Sequence, residues 1–366
     1  MAQASLSGTA HPAPARPAGD RSGIGQTAVV VLAGLLLAVM VLSMTTGASG
    51  ASAWPVVAHA LGLAPLEGAD ALRDQVVILN IRLPRMILGT LIGAALAVSG
   101  LVMQGLFRNP LADPGLVGVS SGAGLGAVAI IVVGTTILAP VTAFLGIYAL
   151  QIASFAGGLV TTFVLYRVAT RSGQTAIATM LLAGIAIGAL CGAVTGVLVY
   201  MADDNQLRDL TFWGLGSLSG ANWTKVLASG PIILAALVGS AFLSRGLNAM
   251  TLGEATAAHL GISVQPFKRW AIVLVAAATG ASVAVSGGIG FVGIVVPHVL
   301  RLVIGPDHRY LLPASALLGA AFLLMADAVS RTVVAPAELP IGIVTAFVGG
   351  PFFLWILLRR RGGLAW

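Results

Sequence analysis

The residues with the clearest chemistry in this chain are guanidiniums and one carboxylate set at the ends of long apolar runs. Arg82 and Arg85 flank Leu83-Pro84 just ahead of one run, and Arg331 closes another, four residues after Asp327. A guanidinium grips a carboxylate through a planar fork, so these arginines could receive acidic side chains of a docking protein. They could equally anchor helix ends at a membrane edge, and Asp327 could pair with Arg331 one helical turn away. An acid within a membrane segment is otherwise a functional candidate, such as the coupling group of an ion-driven carrier.

Other patterns resemble enzyme motifs but lack their context. Gly288, Gly290 and Gly293 spell G-x-G-x-x-G. A dinucleotide fold needs that motif between a strand and a helix, whereas here it separates two apolar runs of membrane length. Gly118, Ser120 and Gly122 match the nucleophile elbow, which would make the chain an intramembrane hydrolase. No strand-like run precedes Ser120, and the nearby sequence offers no general base. His11, His59, His259, His298 and His308 form no i,i+3 or i,i+4 pair and no metal-ligand spacing with carboxylates. The lone Cys191 excludes an intramolecular disulfide and a cysteine-based zinc site. No G-x-x-x-x-G-K-[ST] run occurs, so any ATP must be bound by another polypeptide. The expectation is a chain with no catalytic residue, no metal and no cofactor of its own.

The elements that must position these residues are written in the composition. Of 366 residues, 58% are hydrophobic and 8% charged, against about 25% charged in a soluble domain. The 47 glycines suit helices packed backbone to backbone in a membrane. A crossing needs about 20 apolar residues, and ten stretches qualify: 28–46, 86–107, 115–139, 143–166, 174–201, 226–243, 270–286, 289–304, 310–334 and 341–358. The expected fold is an all-α membrane protein of ten transmembrane helices, with the Gly287-Gly288 pair readable as a break within one element. Residues 1–26, rich in Ala, Pro, Gly and Ser, are expected to be a disordered cytoplasmic N-terminus. Residues 27–361 then form the membrane domain and 362–366 a cytoplasmic tail. Ala51-Ser52-Ala53 resembles a signal-peptidase site, but the first apolar stretch is longer than a signal core and is taken as a retained span.

Charge sets the orientation. With both termini cytoplasmic, only Arg73, Arg82, Arg85, Arg208, Lys225 and Arg331 fall outside, and every other basic residue, including Arg359-Arg360-Arg361, lies inside. The net charge of +7 thus reflects topology, and nucleic acid is not needed to explain it. Two further patterns stand out. Gly184, Gly188, Gly192 and Gly196 make a smooth stripe on the fifth span, suited to tight packing within the chain or to a pathway or subunit seam. Between spans six and seven, Thr251 and Glu254 have capping-box spacing and Gly261 can end the short helix they would start. That helix reads as a cytoplasmic connector or as a lever inserted into a partner.

Several segments together resemble the permease family of iron-siderophore, haem and vitamin B12 importers, the type II ABC importers. They are Arg82-Leu83-Pro84-Arg85; Gly100 to Gln104; Phe107-Arg108-Asn109-Pro110-Leu111-Ala112-Asp113-Pro114-Gly115; Leu252-Gly253-Glu254 with Leu260-Gly261; Gly287 to Arg301; Asp307-His308-Arg309; and Glu338-Leu339-Pro340-Ile341-Gly342. The resemblance covers the chain after residue 27. The run Asn109 to Gly122, with Leu207 to Trp213 and Gly216-Ser217-Leu218, is most similar to haem permeases, which favours haem over a ferric siderophore and places vitamin B12 third.

The resemblance implies ten helices per subunit in a multi-pass protein of the bacterial inner membrane, with a second copy enclosing one pathway. Two copies of a cytoplasmic ATPase, which uses ATP and Mg, would bind Leu252, Gly253, Glu254, Ala258, Leu260 and Gly261 within residues 250–262. A periplasmic binding protein would present glutamates to Arg82, Arg85 and Arg331. The glycine-striped helix would line the pathway at the subunit seam. The cytoplasmic gate would lie near its start, where this chain has Ala176-Ile177-Ala178 in place of small hydroxyl residues.

Overall fold

A computed structural model describes residues 21–47, 50–63, 65, 68–171 and 174–360. The chain is helical almost throughout: α1 (Ser22–Thr45), α2 (Trp54–Ala60), α3 (Ala69–Val76), α4 (Leu83–Phe107), α5 (Val119–Val133), α6 (Ala139–Leu145), α7 (Ala149–Ala169) and α8 (Ile177–Met201). There follow α9 (Asp204–Gly214), α10 (Trp223–Ala241), α11 (Ser244–Thr251), α12 (Glu254–His259), α13 (Val264–Ser286), α14 (Val292–Ile304), α15 (His308–Thr332) and α16 (Ile341–Arg360). The described residues hold one small hairpin, β1 (Thr170–Arg171) with β2 (Gln174–Thr175), joined antiparallel ahead of α8.

Seven helical segments are long and apolar enough to cross a membrane: 22–45, 69–107, 139–169, 178–201, 223–241, 264–286 and 308–332. Three shorter apolar helices, Val119–Val133, Val292–Ile304 and Ile341–Ile356, fall where the other three stretches were expected. The 13 residues of α14 rise about 20 Å, short of the roughly 30 Å hydrocarbon core. Length and composition therefore mark seven candidate crossings among the described residues, with three further apolar helices beside them.

Two element boundaries differ from the sequence expectation. The first helix begins at Ser22, inside the segment expected to be disordered, and Gly25 packs directly on Tyr310 of α15. The helix expected to open at Arg82 instead runs on from Ala69, through a π-helical stretch at Val77–Arg82. Pro84 lacks an N–H to give to the preceding turn and so belongs by preference in the first turn of a helix. The widened stretch just before it takes up that defect, so the helix continues.

The core is built around α4, which packs against α15, α13, α14 and α10. Its approach to two neighbours is backbone to backbone: a Cβ at Gly93 would overlap the Gly319 carbonyl, and one at Gly100 would overlap the Gly293 carbonyl. Gln104 then donates to the same Gly293 carbonyl (3.0 Å). By contrast α1 and α8 bury little of their apolar surface within the chain.

The glycine pattern at 287–293 is a break between α13 and α14, with Gly287 (φ +72°) and Phe291 (φ +70°) in the left-handed region. Another interruption of the chain caps the break at Ser286 and is itself tied to the start of α16. Ser217 N donates to Ser286 O (2.8 Å), and Gly342 N donates to Leu215 O (3.1 Å). Within a bilayer such groups have no water to satisfy them, so non-helical backbone persists only where protein covers it.

Candidate functional site

At one end of the bundle two of the arginines share a single acid, and the third binds backbone carbonyls nearby. Asp327, in the last turns of α15, is fully buried. Arg85, in the first turn of α4, donates to it from Nη2 (2.8 Å) and Nε (3.0 Å), and simultaneously forks onto Glu338 through Nη1 (2.9 Å) and Nη2 (3.0 Å). Arg331 reaches Asp327 Oδ2 from Nε (3.1 Å), the helical-turn pairing that the spacing allowed. Its other nitrogens donate to Ser43 Oγ (3.1 Å) and Thr46 O (3.2 Å) beyond the end of α1. Arg82 donates to Met44 O (2.6 Å) and Ala51 O (3.1 Å). The structure thus brings all three expected arginines into one cluster but turns them inward, each less than a tenth exposed. Glu338, missed as a functional group in the sequence, is the exposed member, with 35% of its side chain accessible.

The same contacts bear on two alternatives raised by the sequence. Asp327 faces two guanidiniums, so it is a structural counter-ion and not a free intramembrane acid. Arg82 binds the Met44 carbonyl ahead of the Ala51-Ser52-Ala53 run and the Ala51 carbonyl within it, and Ser52 N donates to Asp74 Oδ2 (3.1 Å), so this segment is built into the bundle.

Between the ends runs a groove of about 450 Å³ lined by Ser120, Ser121 and Gly124 of α5, Gly188 and Gly192 of α8, and Trp213 of α9. A Cβ at Gly192 or Gly196 would meet nothing within 4 Å, and one at Gly188 only Ser121 Oγ at 3.5 Å. Packing within the chain therefore does not explain the distal half of the stripe, while Gly184 is buried. Asp113 lies in a neighbouring cavity with Ser120 and Thr279. Burial pushes its carboxyl above the ordinary range, and the Gly115 N–H bond (2.8 Å) draws it back in part. Ser120 sits in the first turn of α5 behind a 3-10 turn, Pro114–Val117, so the strand an elbow requires is absent there.

The opposite end carries α12. Thr251 does not cap it: Thr251 ends α11 and its hydroxyl bonds back to Asn248 O (2.6 Å), a local alternative open to any helical threonine. The N-cap is Gly253 (φ +105°), and Glu254 pairs with Lys268 Nζ (2.7 Å) instead of closing a capping box. Leu252 and Leu260 flank the helix 64% and 61% exposed, with Ala258 and Gly261 also exposed, while Ala257 packs inward with Ala249 and Met250. At the foot of α8, Ala176 and Ala178 are exposed beside the hairpin; the Ile177 side chain lies outside the described residues. Asn248, silent in the sequence, ties α11 to α15 through Asp307 Oδ1 (2.7 Å) and His308 N (2.9 Å).

The model of the FecCD transport family matches residues 35–359. The hemin transport system permease protein HmuU of Yersinia pestis is 50% identical over 283 residues, 77% of this chain and 83% of that protein. The cobalamin import system permease protein BtuC of Halobacterium salinarum is 45% identical over 316 residues, 86% of this chain and 81% of that protein. Among solved structures, an inward-facing conformation of a metal-chelate type ABC transporter superposes with a TM-score of 0.78 at 31% identity, covering 91% of this chain and 99% of that one.

Proposed function

Since the chain belongs to the FecCD transport family, we propose that it forms the pathway of an importer that carries haem from an outer binding protein into the cytoplasm. At the coarser level it is a multi-pass inner-membrane permease subunit of an ABC importer, with the type II permease fold and no ATPase site of its own. ATP and Mg are then handled by a separate subunit. Two copies of this chain pair along α8, two ATPase subunits seat on α12, and both termini face the cytoplasm.

The haem reading is carried by the 50% identity to a hemin permease, above the 45% to a cobalamin permease. Cobalamin, placed third from the sequence behind a ferric siderophore, becomes the second reading because that likeness extends over more of the chain, 316 residues against 283. The open half of the glycine stripe supports a subunit seam at Gly188, Gly192 and Gly196, continued by buried Gly184. The exposed Leu252 and Leu260, with Gly253, Glu254, Ala258 and Gly261 between and beside them, support an ATPase-binding surface. Ala176, Ile177 and Ala178 stand at its inner end as the gate.

Docking at the arginine cluster works by exchange. Arg82, Arg85 and Arg331 are already engaged, so a carboxylate of the binding protein displaces Glu338, the more accessible of the two acids on Arg85. Uptake by the permease–ATPase complex in liposomes, with its binding protein loaded with haem, cobalamin or a ferric siderophore, tests the proposal. ATP-dependent uptake of haem alone is expected; uptake of cobalamin in its place overturns the substrate, and nucleotide-independent uptake overturns the importer.

A further inference from the structure

Lys268 is one of the most deeply buried charges in the molecule, 2% exposed in the second turn of α13. Its ammonium has two partners on different elements: Glu254 Oε1 of α12 at 2.7 Å and the Thr175 carbonyl of β2 at 3.1 Å. One turn earlier on the same helix, Gln265 Oε1 accepts from Thr175 N at 3.0 Å, so α13 holds both backbone polar groups of that residue. Thr175 Oγ1 in turn bonds Thr170 Oγ1 (2.9 Å) across the hairpin. Arg269 reaches Tyr166 OH (3.2 Å) in the last turn of α7, which runs directly into β1. Two residues after Thr175, α8 begins.

Stability is a poor explanation for this arrangement. Burying an ammonium and half-burying its carboxylate costs desolvation that their attraction roughly repays, and an apolar side chain of equal length would fill the space as well. What the ammonium supplies is geometry: one side chain fixes the distance between α12 and the hairpin, since a shift of α12 alone costs it its counter-ion and a shift of the hairpin alone costs it its carbonyl acceptor. We infer that Lys268 is a positioning residue that transmits movement of α12 to the hairpin at the foot of α8, and so couples the ATPase-facing surface to the inner end of the pathway. The inference rests on the proposed role of α12, and the experiment separates the two.

A fluorophore is placed on Gln174→Cys, at the exposed edge of the hairpin, or on Thr256→Cys, exposed on α12, each in a Cys191→Ser background of the permease–ATPase complex in nanodiscs. Addition of ATP and Mg should change both signals. With Lys268→Met the change at position 256 should persist while that at 174 falls by about fivefold or more, a typical coupling between sites. Lys268→Arg, which keeps the charge and donors, should restore part of the response at 174. An undiminished response at 174 in Lys268→Met overturns the inference. Absence of any ATP response at 256 before Lys268 is changed overturns the role of α12 itself. Gln265→Met provides the parallel test should Lys268→Met fail to fold, because it removes only the bond to Thr175 N; an unchanged response at 174 there likewise counts against the relay.

Discussion

Replacing Asp327 by Asn should be the most damaging single change in the arginine cluster, although it alters neither volume nor shape. The carboxylate is fully buried and serves Arg85 (2.8 Å) and Arg331 (3.1 Å) at once. Neutralising it leaves Arg331 without a counter-ion and Arg85 with Glu338 alone, and breaking a buried pair from one side costs about 3–5 kcal/mol. Arg85→Met is milder, because Asp327 retains Arg331 and Glu338 can recover water; the loss of its charged hydrogen bonds is worth about 1.5–3 kcal/mol. Glu338→Gln removes a partly solvated charge and should cost no more than about 1 kcal/mol. Reversible SDS unfolding of the purified chain in mixed micelles would rank the three. The Arg85→Met/Asp327→Asn double variant should fall short of the sum of its singles by about 1–3 kcal/mol, since both act on one contact. If Glu338→Gln proves as costly as Asp327→Asn, or if the double variant is additive, the cluster is not organised around Asp327 and the reasoning fails.

Three further outcomes follow from the same geometry. Gly192→Leu should leave unfolding of the isolated chain within about 0.5 kcal/mol of the parent, since its Cβ meets nothing, yet lower uptake about tenfold or more, the equivalent of ~1.4 kcal/mol at the seam; unchanged uptake would remove the seam from consideration. Leu252→Ser with Leu260→Ser withdraws about 2 kcal/mol of apolar burial from a bound partner, so the ATPase subunit should be retained roughly 30-fold less tightly in titrations of the solubilised permease. Glu338→Gln takes away the competitor for Arg85, so the binding protein should bind about threefold more tightly by surface plasmon resonance, and weaker binding would argue against docking by exchange.

Much of the helical architecture could be read from apolar run lengths, because a bilayer leaves helix as the main way to satisfy backbone groups. The breaks and continuations were less legible. Pro84 looks the same at the start of a helix and after a widened turn, and only the neighbours of residues 77–82 decide between them. The Asp327–Arg331 pairing could be read from spacing along one helix. Arg85–Glu338 and Lys268–Glu254 could not, since they join residues that only tertiary packing brings together. Thr251 misled because Ser and Thr near a helix end have two local options, capping the next helix or bonding back into the last, and sequence does not rank them. The glycine spacing marked a stripe on α8 but could not tell its members apart: Gly184 is buried in the chain, whereas Gly192 and Gly196 are open.

The junction where the α13–α14 break meets residues 213–217 and 340–342 also constrains how the protein can be made. Helix α14 is too short to settle as an independent hydrophobic stop while the ribosome is still extending the chain. The segment that packs on its leading break from one side, Trp213 to Ser217, has emerged long before, but Gly342, whose N–H engages Leu215 O, emerges only near the end of synthesis. The Leu215–Gly342 bond can therefore close only when nearly the whole polypeptide exists. A chain cut short before residue 340 would carry nine of its apolar helices, long and short, and still lack the closing piece.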